Sequence, residues 1–195
     1  MSIIENLLPY DGEVFYFSQV LNEQKSNESF QSLLTEIKWE NDELLMYGKR
    51  IVTKRKVAWY GLKPYNYTYS KINKQAHLYS DILNQLQQLI EGLCKENFNS
   101  CLLNLYHDGS EGMGWHSDNE KELKKNGTIA SLSFGANRIF QFKHKLTKEI
   151  VNIELENSSL LMMNGVTQEH WLHALKVDKK IKTPRINLTF RTIVD

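Results

Sequence analysis

Long apolar runs and cysteine are scarce in this sequence of 195 residues. No apolar run approaches the roughly 20 residues that cross a bilayer, and the first residues, MSIIEN, have neither the basic start nor the apolar stretch of a secretion signal. Cys94 and Cys101 lack Cys-x-x-Cys spacing, which indicates reduced core thiols and argues against a disulfide or a zinc site. We therefore expect no membrane partner and a cytoplasmic protein, nuclear in a eukaryote.

The composition excludes a disordered or fibrous chain, because 41% of the residues are apolar and 24% are charged, as in an ordinary globular protein. The sequence shows no internal repeat, low-complexity tract or linker. We expect a monomer with a single domain over residues 1–195. Within it, residues 1–99 carry the helices and residues 100–195 form a β-rich core.

Acidic residues are absent between Leu44 and Ser80, where cations and aromatic rings accumulate. The cations are Lys49, Arg50, Lys54, Arg55, Lys56, Lys63, Lys71 and Lys74, and the rings are Tyr47, Trp59, Tyr60, Tyr65, Tyr67, Tyr69 and Tyr79. Cations bind phosphates and flat rings stack on bases, so this basic aromatic segment predicts contact with nucleic acid. A lysine-rich stretch is also commonly a solvated face, and tyrosine favours strands. The composition alone leaves that simpler interpretation open.

Residue spacing predicts two amphipathic helices followed by seven strands. Asn27 is the expected N-cap of a helix with apolar residues from Phe30 to Ile37, and Ser80 that of a helix with apolar residues from Ile82 to Leu93. The strand candidates are Ser100 to Tyr106, Thr128 to Phe134, Arg138 to Lys143, Ile150 to Leu155, Ser159 to Met163, His170 to Lys176 and Arg185 to Val194. This order favours a mainly β, α+β fold, an antiparallel sandwich or barrel with a helical flank. Gly135-Ala136-Asn137 is predicted to form a tight hairpin.

A candidate metal site begins with the triplet His116-Ser117-Asp118 and is extended by His173. Strand alternation places His173 on one face with the bulky Trp171 and Leu175. Two imidazoles and one carboxylate, with coordination positions left open, suit Fe(II) that also holds a cosubstrate and oxygen. Taken singly, a histidine beside an aspartate is more often a hydrogen-bonded surface pair than a metal site, and a core histidine is the alternative for His173. The same donors also suit a hydrolytic zinc ion.

The last predicted strand carries polar side chains on one face. Arg185, Asn187, Thr189 and Arg191 share that face, and apolar side chains occupy the other. Arginines buried without anions are very costly, so this face predicts an anionic partner such as a small dicarboxylate. An edge strand with one face in water is the alternative.

These residues, in their order and spacing, resemble the AlkB family of iron- and 2-oxoglutarate-dependent dioxygenases, above all its DNA-repair branch of second and third homologues. The resemblance runs from about Tyr47 to the C-terminus. Its segments are Asn104-Leu105-Tyr106, Gly112, His116 to Glu120, Ser131 to Gly135, Leu160 to Asn164, His173 and Pro184 to Arg191. The resemblance implies a double-stranded β-helix, or jelly-roll, core covered by an N-terminal nucleotide-recognition lid.

The resemblance implies roles for individual residues of the core. His116, Asp118 and His173 would be the iron ligands and catalytic residues. Arg185 would bind the distal carboxylate of 2-oxoglutarate with help from Tyr106. The remaining residues implied around this cosubstrate are Asn104, Asn187, Thr189 and Arg191.

In the lid, the resemblance implies contacts with a flipped base. Tyr69 would stack on the base opposite the His116 ring, Tyr67 would make a polar contact, and Glu120 would face the base edge. Tyr47 would fill the gap that the flipped base leaves in the helix.

Two further residues of the lid, Arg55 and Lys56, would grip the nucleic-acid backbone. The implied activity is oxidative demethylation of N-alkylated bases in DNA, and of RNA as a second substrate, with Fe(II), 2-oxoglutarate and O2 and with release of formaldehyde. N1-methyladenine and N3-methylcytosine are the expected lesions, because they are cationic and have lost their pairing.

Two other functions stay open: hydroxylation of a protein or small molecule, and binding of nucleic acid without catalysis. The basic aromatic segment argues against the first, and the intact His116, Asp118 and His173 argue against the second. The connection between Phe142-Lys143-His144 and Ile153-Glu154-Leu155 is short, where the duplex-preferring relative has a longer basic loop. This difference favours single strands or tolerance of both, whereas Arg55 and the Tyr47 finger favour duplex DNA.

Overall fold

The computed structural model describes residues 5–46, 49–69 and 72–194, and only the backbone at 43–46, 49–51, 66–69 and 72–74. Its helices are α1 (Glu23–Glu36), α2 (Asp81–Cys94) and the short α3 (Thr167–His170). Its strands are β1 (Glu13–Phe17), β2 (Glu40–Met46), β3 (Lys49–Gly61), β4 (Asn66–Tyr69), β5 (Ile72–Gln75), β6 (His77–Leu78), β7 (Ser100–Tyr106), β8 (Met113–His116), β9 (Ile129–Gly135), β10 (Arg138–His144), β11 (Ile150–Leu155), β12 (Leu160–Asn164), β13 (Trp171–Leu175) and β14 (Arg185–Arg191).

Helix α1 begins earlier than its apolar spacing predicts. Its N-cap is Asn22, whose side-chain oxygen accepts a hydrogen bond of 2.9 Å from the backbone N–H of Lys25, so the expected cap at Asn27 is wrong. The first turns escaped prediction because the small polar residues Ser26 and Ser29 take the buried positions there. Helix α2 follows Ser80 as predicted and buries Leu83, Leu86 and Ile90.

Two sheets form the core, antiparallel except for the parallel pair of β3 with β6, and a smaller two-stranded sheet pairs β4 with β5. The larger sheet has eight strands in the order β1-β12-β9-β14-β7-β3-β2, with β6 paired to β3. The smaller core sheet has the order β11-β10-β13-β8. This arrangement confirms the predicted mainly β fold with a jelly-roll core.

Strand β14 lies in the middle of the larger sheet, between β9 and β7. Its register places Arg185 opposite Tyr106 and Asn187 opposite Asn104. The edge-strand alternative is therefore wrong, and both faces of β14 are covered.

The two faces of the larger sheet contact different partners. One face packs on α1 and α2, around Leu33, Leu83, Leu103, Leu188 and Phe190. Towards the smaller sheet, a second apolar cluster contains Val14, Phe142, Leu161 and Trp171, among others. The polar face of β14 looks into this second layer, between the sheets.

The predicted hairpin at Gly135-Ala136-Asn137 is wrong, because β9 and β10 belong to different sheets. Gly135 has a φ of 84°, and a Cβ atom built on it would collide with the carbonyl oxygen of Pro184. The glycine is thus required by a close backbone approach, where the chain passes from one sheet to the other.

Strands β1, β2 and β3 precede residue 100 and pair within the same sheet as the later strands. The larger sheet therefore crosses the boundary expected at residue 99, and this continuity supports our proposal of a single domain. Cys94 and Cys101 are both buried free thiols. Among the described helices, none combines the length and the apolar character needed to span a membrane.

Candidate active site

Three predicted metal ligands converge on the rim of the space between the sheets. His116 ends β8 and lies opposite His173 in the pairing of β8 with β13, while Asp118 follows His116 by two residues. One ligand atom from each of the three lies within 4.8 Å of the others. Strand pairing thus brings together residues that are 57 positions apart in the chain.

The distances in this cluster suit a single metal ion. The Nε2 atoms of His116 and His173 are 3.1 Å apart, and two ligands at right angles around one metal, each about 2.1 Å from it, would be about 3.0 Å apart. Asp118 Oδ1 lies 3.8 Å from the Nε2 of His116 and 3.9 Å from that of His173. These separations lie between the roughly 3.0 Å of adjacent and 4.2 Å of opposite ligands.

Protonation in the cluster also suits a metal. The Gly114 carbonyl lies 2.8 Å from Nδ1 of His116 and accepts its proton, so the Nε2 lone pair points at His173. Burial lowers the pKa of His173 to about 3, so this ring is neutral at physiological pH. The Nε2 atoms of the two rings face each other beside the Asp118 carboxylate, and this donor set suits a divalent cation.

Asp118 is held as a carboxylate. Burial would raise its pKa, but the opposing charge of Arg191 and the two histidine rings outweigh that effect and lower it. Arg191 Nη2 donates to Asp118 Oδ2 at 2.8 Å, and the side-chain oxygen of Gln168 accepts from the Asp118 N–H at 2.9 Å. Arg191 thereby lies beside the metal ligands, at the end of β14 where it was expected.

Arg185 is a buried cation without a carboxylate partner among the described residues. It is 2% exposed, its Nη2 donates to Ser133 Oγ at 2.9 Å, and its Nε donates to nothing the structure describes. Burial lowers its pKa to about 10, which still leaves it charged at neutral pH. Its guanidinium carbon lies 5.6 Å from the centre of the Tyr106 ring. An unpaired buried charge facing a cavity requires an anion.

The cavity beside Arg185 joins the two sheets. Its wall includes Tyr106, Asn104, Arg185, Asn187 and Thr189 from the larger sheet, and it reaches His116, Asp118 and His173. Asn187 Nδ2 already donates to Ser131 Oγ at 2.8 Å, and Thr189 Oγ1 donates to the Asn187 side-chain oxygen at 3.2 Å. These two residues therefore form a satisfied polar wall, and Arg185 keeps the free donor.

A second cavity opens on the other side of the cluster. Its lining includes Arg55, Trp59, Glu120, Glu122 and Leu123, and it shares His116, Asp118 and Arg191 with the first cavity. Glu120 is half-buried, and its Oε2 atom has no described partner. An acidic acceptor is thus available in this cavity, near the metal ligands.

Arg55 is buried within the protein, whereas a contact with phosphate requires an exposed cation. It is 7% exposed, forms an ion pair with Asp42 and donates to the Asn104 side-chain oxygen at 2.7 Å. Asp42 thus neutralises the charge of Arg55 within the protein. The hydrogen bond to Asn104 links the lid strand β3 to the wall of the cosubstrate cavity. Lys56, on the opposite face of the strand, is half-buried.

The tyrosines of the lid were predicted to hold the base. Tyr67 and Tyr69 occupy β4, where only the backbone is described, and Tyr47 lies outside the described residues. Their roles stay predictions.

Two contributors to the site escaped sequence reasoning. Arg138 is 1% exposed and donates to the carbonyls of Glu111, at 2.6 Å, and Lys176, at 2.8 Å, beside the Tyr106 ring. Gln168 supports the backbone of Asp118 from α3. The sequence signal available for Arg138 was its position at the start of an apolar strand. Nothing in the sequence pattern indicated a role for Gln168.

Known proteins share both the sequence and the fold. The profile of the 2OG-Fe(II) oxygenase superfamily matches residues 13–191. The DNA oxidative demethylase ALKBH2 of Homo sapiens is 35% identical over 189 residues, covering 91% of this chain and 72% of that protein. The alpha-ketoglutarate-dependent dioxygenase alkB homolog 3 of Homo sapiens is 38% identical over 148 residues, covering 71% of this chain and 51% of that protein. The structure of OsALKBH1 superposes with a TM-score of 0.61 at 16% identity, covering 92% of this chain and 97% of that one.

Proposed function

Because this chain belongs to the 2OG-Fe(II) oxygenase superfamily and, within it, to the AlkB family, we propose that it removes methyl groups from the ring nitrogens of damaged DNA bases by oxidation. Fe(II), 2-oxoglutarate and O2 are its cofactor and cosubstrates. The proposed substrates are N1-methyladenine and N3-methylcytosine. RNA as a second substrate, action as a monomer and a cytoplasmic or nuclear location also belong to the proposal.

One observation carries this function: His116, Asp118 and His173 meet where two cavities adjoin. One cavity contains an unpaired buried guanidinium, and the other contains an unpaired buried carboxylate oxygen. A dianionic cosubstrate suits the first, and a cationic base suits the second.

The three ligands would hold Fe(II), which with 2-oxoglutarate and O2 supplies the oxidation that turns an N-methyl group into a hydroxymethyl group. That product is a hemiaminal, and it loses formaldehyde to restore the base. Arg191, through its bond to Asp118 Oδ2, leaves Oδ1 directed at the two histidines. Gln168 and the Gly114 carbonyl fix the orientation of Asp118 and His116.

Arg185 and Tyr106 would bind the distal carboxylate of the cosubstrate. The guanidinium of Arg185 keeps its charge and has an undonated Nε–H, so an incoming carboxylate would find a donor already desolvated. This anion would also neutralise a charge that otherwise lies buried and unpaired. Asn187 and Thr189 would shape the wall, and Asn104 is held by Arg55.

Glu120 would select cationic lesions. Its Oε2 has no described partner and lines the cavity that adjoins His116 and Asp118. A methylated base with a positively charged ring would place an opposite charge beside this oxygen. Neutral bases would leave the carboxylate unpaired in a partly dry cavity.

The lid would supply the remaining contacts to nucleic acid. Tyr69 would stack on the base, Tyr67 would make a polar contact, Tyr47 would fill the gap in the helix, and Lys56 would contact phosphate. Extrusion of a base costs a few kcal/mol, and less where pairing is already lost.

The burial of Arg55 removes one argument for duplex binding, because its charge is paired inside the protein. The connection between β10 and β11 is a short turn at residues 145–149. We therefore propose that single-stranded DNA is accepted at least as well as duplex DNA.

The deciding experiment measures formaldehyde and succinate released from oligonucleotides carrying N1-methyladenine, with Fe(II), ascorbate and 2-oxoglutarate. Single-stranded and duplex forms of one sequence would be compared. We expect equal amounts of formaldehyde and succinate from the methylated strand. Absence of formaldehyde with every methylated DNA and RNA, while succinate still forms, would redirect the proposal to a protein or small-molecule substrate.

A further inference from the structure

A buried ion pair connects the lid strands to the wall of the candidate active site. Asp42 of β2 pairs with Arg55 of β3, and the guanidinium of Arg55 also donates to the side-chain oxygen of Asn104 in β7 at 2.7 Å. We propose that this lid ion pair (Asp42 and Arg55) is a positioning device, which turns the amide N–H groups of Asn104 towards the 2-oxoglutarate cavity. It would thereby strengthen the binding of 2-oxoglutarate without touching it. The inference rests on the cosubstrate of the proposed function and is independent of the lesion.

The lid ion pair and its partner are enclosed by protein. Asp42, Arg55 and Asn104 are 6%, 7% and 5% exposed. Separation of a buried ion pair leaves an uncompensated charge, which is strongly unfavourable, so the guanidinium stays beside Asp42. Two further contacts hold it from other sides, since Met113 Sδ lies 3.7 Å from Nη1 and the centre of the Tyr106 ring lies 6.0 Å from the guanidinium carbon. Arg55 is therefore a fixed donor.

The donor character of arginine decides which way the amide of Asn104 points. A guanidinium has donors and no acceptor, so the Asn104 atom that faces Nη1 at 2.7 Å is the oxygen. The amide nitrogen then points away from Arg55, and it donates to no group among the residues that the structure describes. Rotation of the amide by 180° would place its N–H groups against the guanidinium and lose this hydrogen bond.

Asn104 lies where a free amide nitrogen can contact the cosubstrate. It lines both cavities that adjoin the metal ligands, and it is opposite Asn187 in the pairing of β7 with β14. Asp42 and Arg55 line the second cavity, and neither is among the described residues that line the cosubstrate cavity. An amide N–H is a donor for an anionic cosubstrate, whereas an amide oxygen would face it with a like partial charge. The lid ion pair therefore acts on 2-oxoglutarate through Asn104.

The test measures the Kd for 2-oxoglutarate by equilibrium dialysis, with Mn²⁺ in place of Fe(II) and without nucleic acid, so that turnover plays no part. Asp42→Asn and Arg55→Met are combined in one variant, because removal of either partner alone would leave a buried unpaired charge. We expect the Kd of this combined variant to rise by about fivefold or more, the effect of losing one orienting hydrogen bond. Urea unfolding verifies that the variant is folded.

Arg55→Lys gives a second measurement on a milder change. Lysine keeps the charge beside Asp42, but its single nitrogen lacks the fork that serves Asp42 and Asn104 together. Its Kd for 2-oxoglutarate should rise in the same direction as that of the combined variant. Lys54→Met is the matched control, because Lys54 is the exposed neighbour of Arg55 on β3 and its replacement should leave the Kd within about twofold.

A double-mutant cycle distinguishes positioning from general damage to the lid. Asn104→Leu alone should raise the Kd at least as much as the combined variant does. Addition of Asp42→Asn and Arg55→Met to Asn104→Leu should then raise the Kd by less than about a further twofold, because the lid ion pair acts through the amide.

The proposal is overturned if the combined variant and Arg55→Lys both bind 2-oxoglutarate with the natural Kd, or if their effects multiply with that of Asn104→Leu. A natural protein that binds no 2-oxoglutarate would overturn both this proposal and the cosubstrate of the proposed function. The expected changes in Kd, found together with no formaldehyde from any methylated nucleic acid, would support the positioning role and refute the proposed substrate alone.

Discussion

The active-site cluster and a second group, formed by Asp11, His144 and His170, contain the same donor types and differ in what surrounds them. At the first, Asp118 is bound by Arg191, and two cavities adjoin the ligands. At the second, Asp11 is exposed, and the Thr147 backbone N–H donates to His144 Nδ1 at 3.1 Å, which leaves the ring proton of His144 on Nε2. His116 differs, because its Nδ1 donates to the Gly114 carbonyl and its Nε2 is left unprotonated. The same donor types therefore suit a metal only where their hydrogen bonds free the ligand atoms and open cavities adjoin them.

The largest expected effect is at the active-site cluster. His173→Ala should lower formaldehyde release by more than the roughly 100-fold that loss of an outer partner of a metal ligand costs, because it removes a ligand itself. The variant should still bind DNA. Single-turnover formaldehyde assays together with DNA binding check this. Activity within tenfold of the natural protein would refute His173 as a ligand.

Replacement of the buried Arg185 should have a different effect from replacement of the buried Arg138, which lies nearby. Arg185→Met should raise the KM for 2-oxoglutarate by roughly 30-fold or more, the effect of losing about 2 kcal/mol or more from a buried charge pair. Without cosubstrate its stability should be retained, because the charge removed had no carboxylate partner.

Arg138→Met is the matched control for that substitution. Its guanidinium donates to the carbonyls of Glu111 and Lys176, so their loss should lower the free energy of unfolding by about 1–3 kcal/mol. Urea unfolding with and without 2-oxoglutarate measures both variants. Equal destabilisation by Arg185→Met and Arg138→Met would mean that Arg185 is a structural residue.

The lowered pKa of the buried His173 should make the stability of the protein depend on pH. The pKa of His173 in the folded protein is about 3, below the ordinary value of 6.5. As pH falls below 6.5, the unfolded chain therefore binds a proton at His173 that the folded chain does not bind. Metal-free protein should lose about 2 kcal/mol between pH 6.5 and 5 from this group, at about 1.4 kcal/mol per pH unit. Asp118, with its lowered pKa, adds a loss in the same direction as pH falls further. Urea unfolding across this range should show a shallower slope for His173→Ala, and an unchanged slope would contradict the assignment.

The smallest effect is expected at the second group. Asp11→Asn should leave kcat/KM for a methylated oligonucleotide within about twofold, because substitutions away from the site and the core are usually near neutral. A large loss of activity in Asp11→Asn would assign this cluster to the reaction itself.

The strands of the core were predictable because their periodicity is local. β7 and β11 begin and end at the predicted residues, and β14 begins at Arg185. The parity of β14 correctly separated Arg185 and Asn187 from Ile186 and Leu188. Strand alternation is a property of neighbouring residues, so it can be recognised without knowledge of the partner strands.

The failures have long-range causes. β1 and β8 escaped prediction because each is short and pairs with strands far along the chain, β12 and β13. The hairpin expected at Gly135 failed because a glycine turn does not reveal whether the chain returns beside its strand or crosses to another sheet. The ion pair of Arg55 with Asp42, which comes from the neighbouring strand, was likewise not visible in the sequence, and the phosphate contact of Arg55 stays a prediction.

The sequence by itself determined the donor types, the polar face of β14, the cofactors and the family, because these depend on residue chemistry and spacing along the chain. Only the tertiary structure decided which charges remain unpaired, with Arg185 left open to a ligand and Arg55 closed by Asp42. It also decided that Asp11, His144 and His170 meet. Pairing energies depend on distance and burial in space, and those are set when the sheets close.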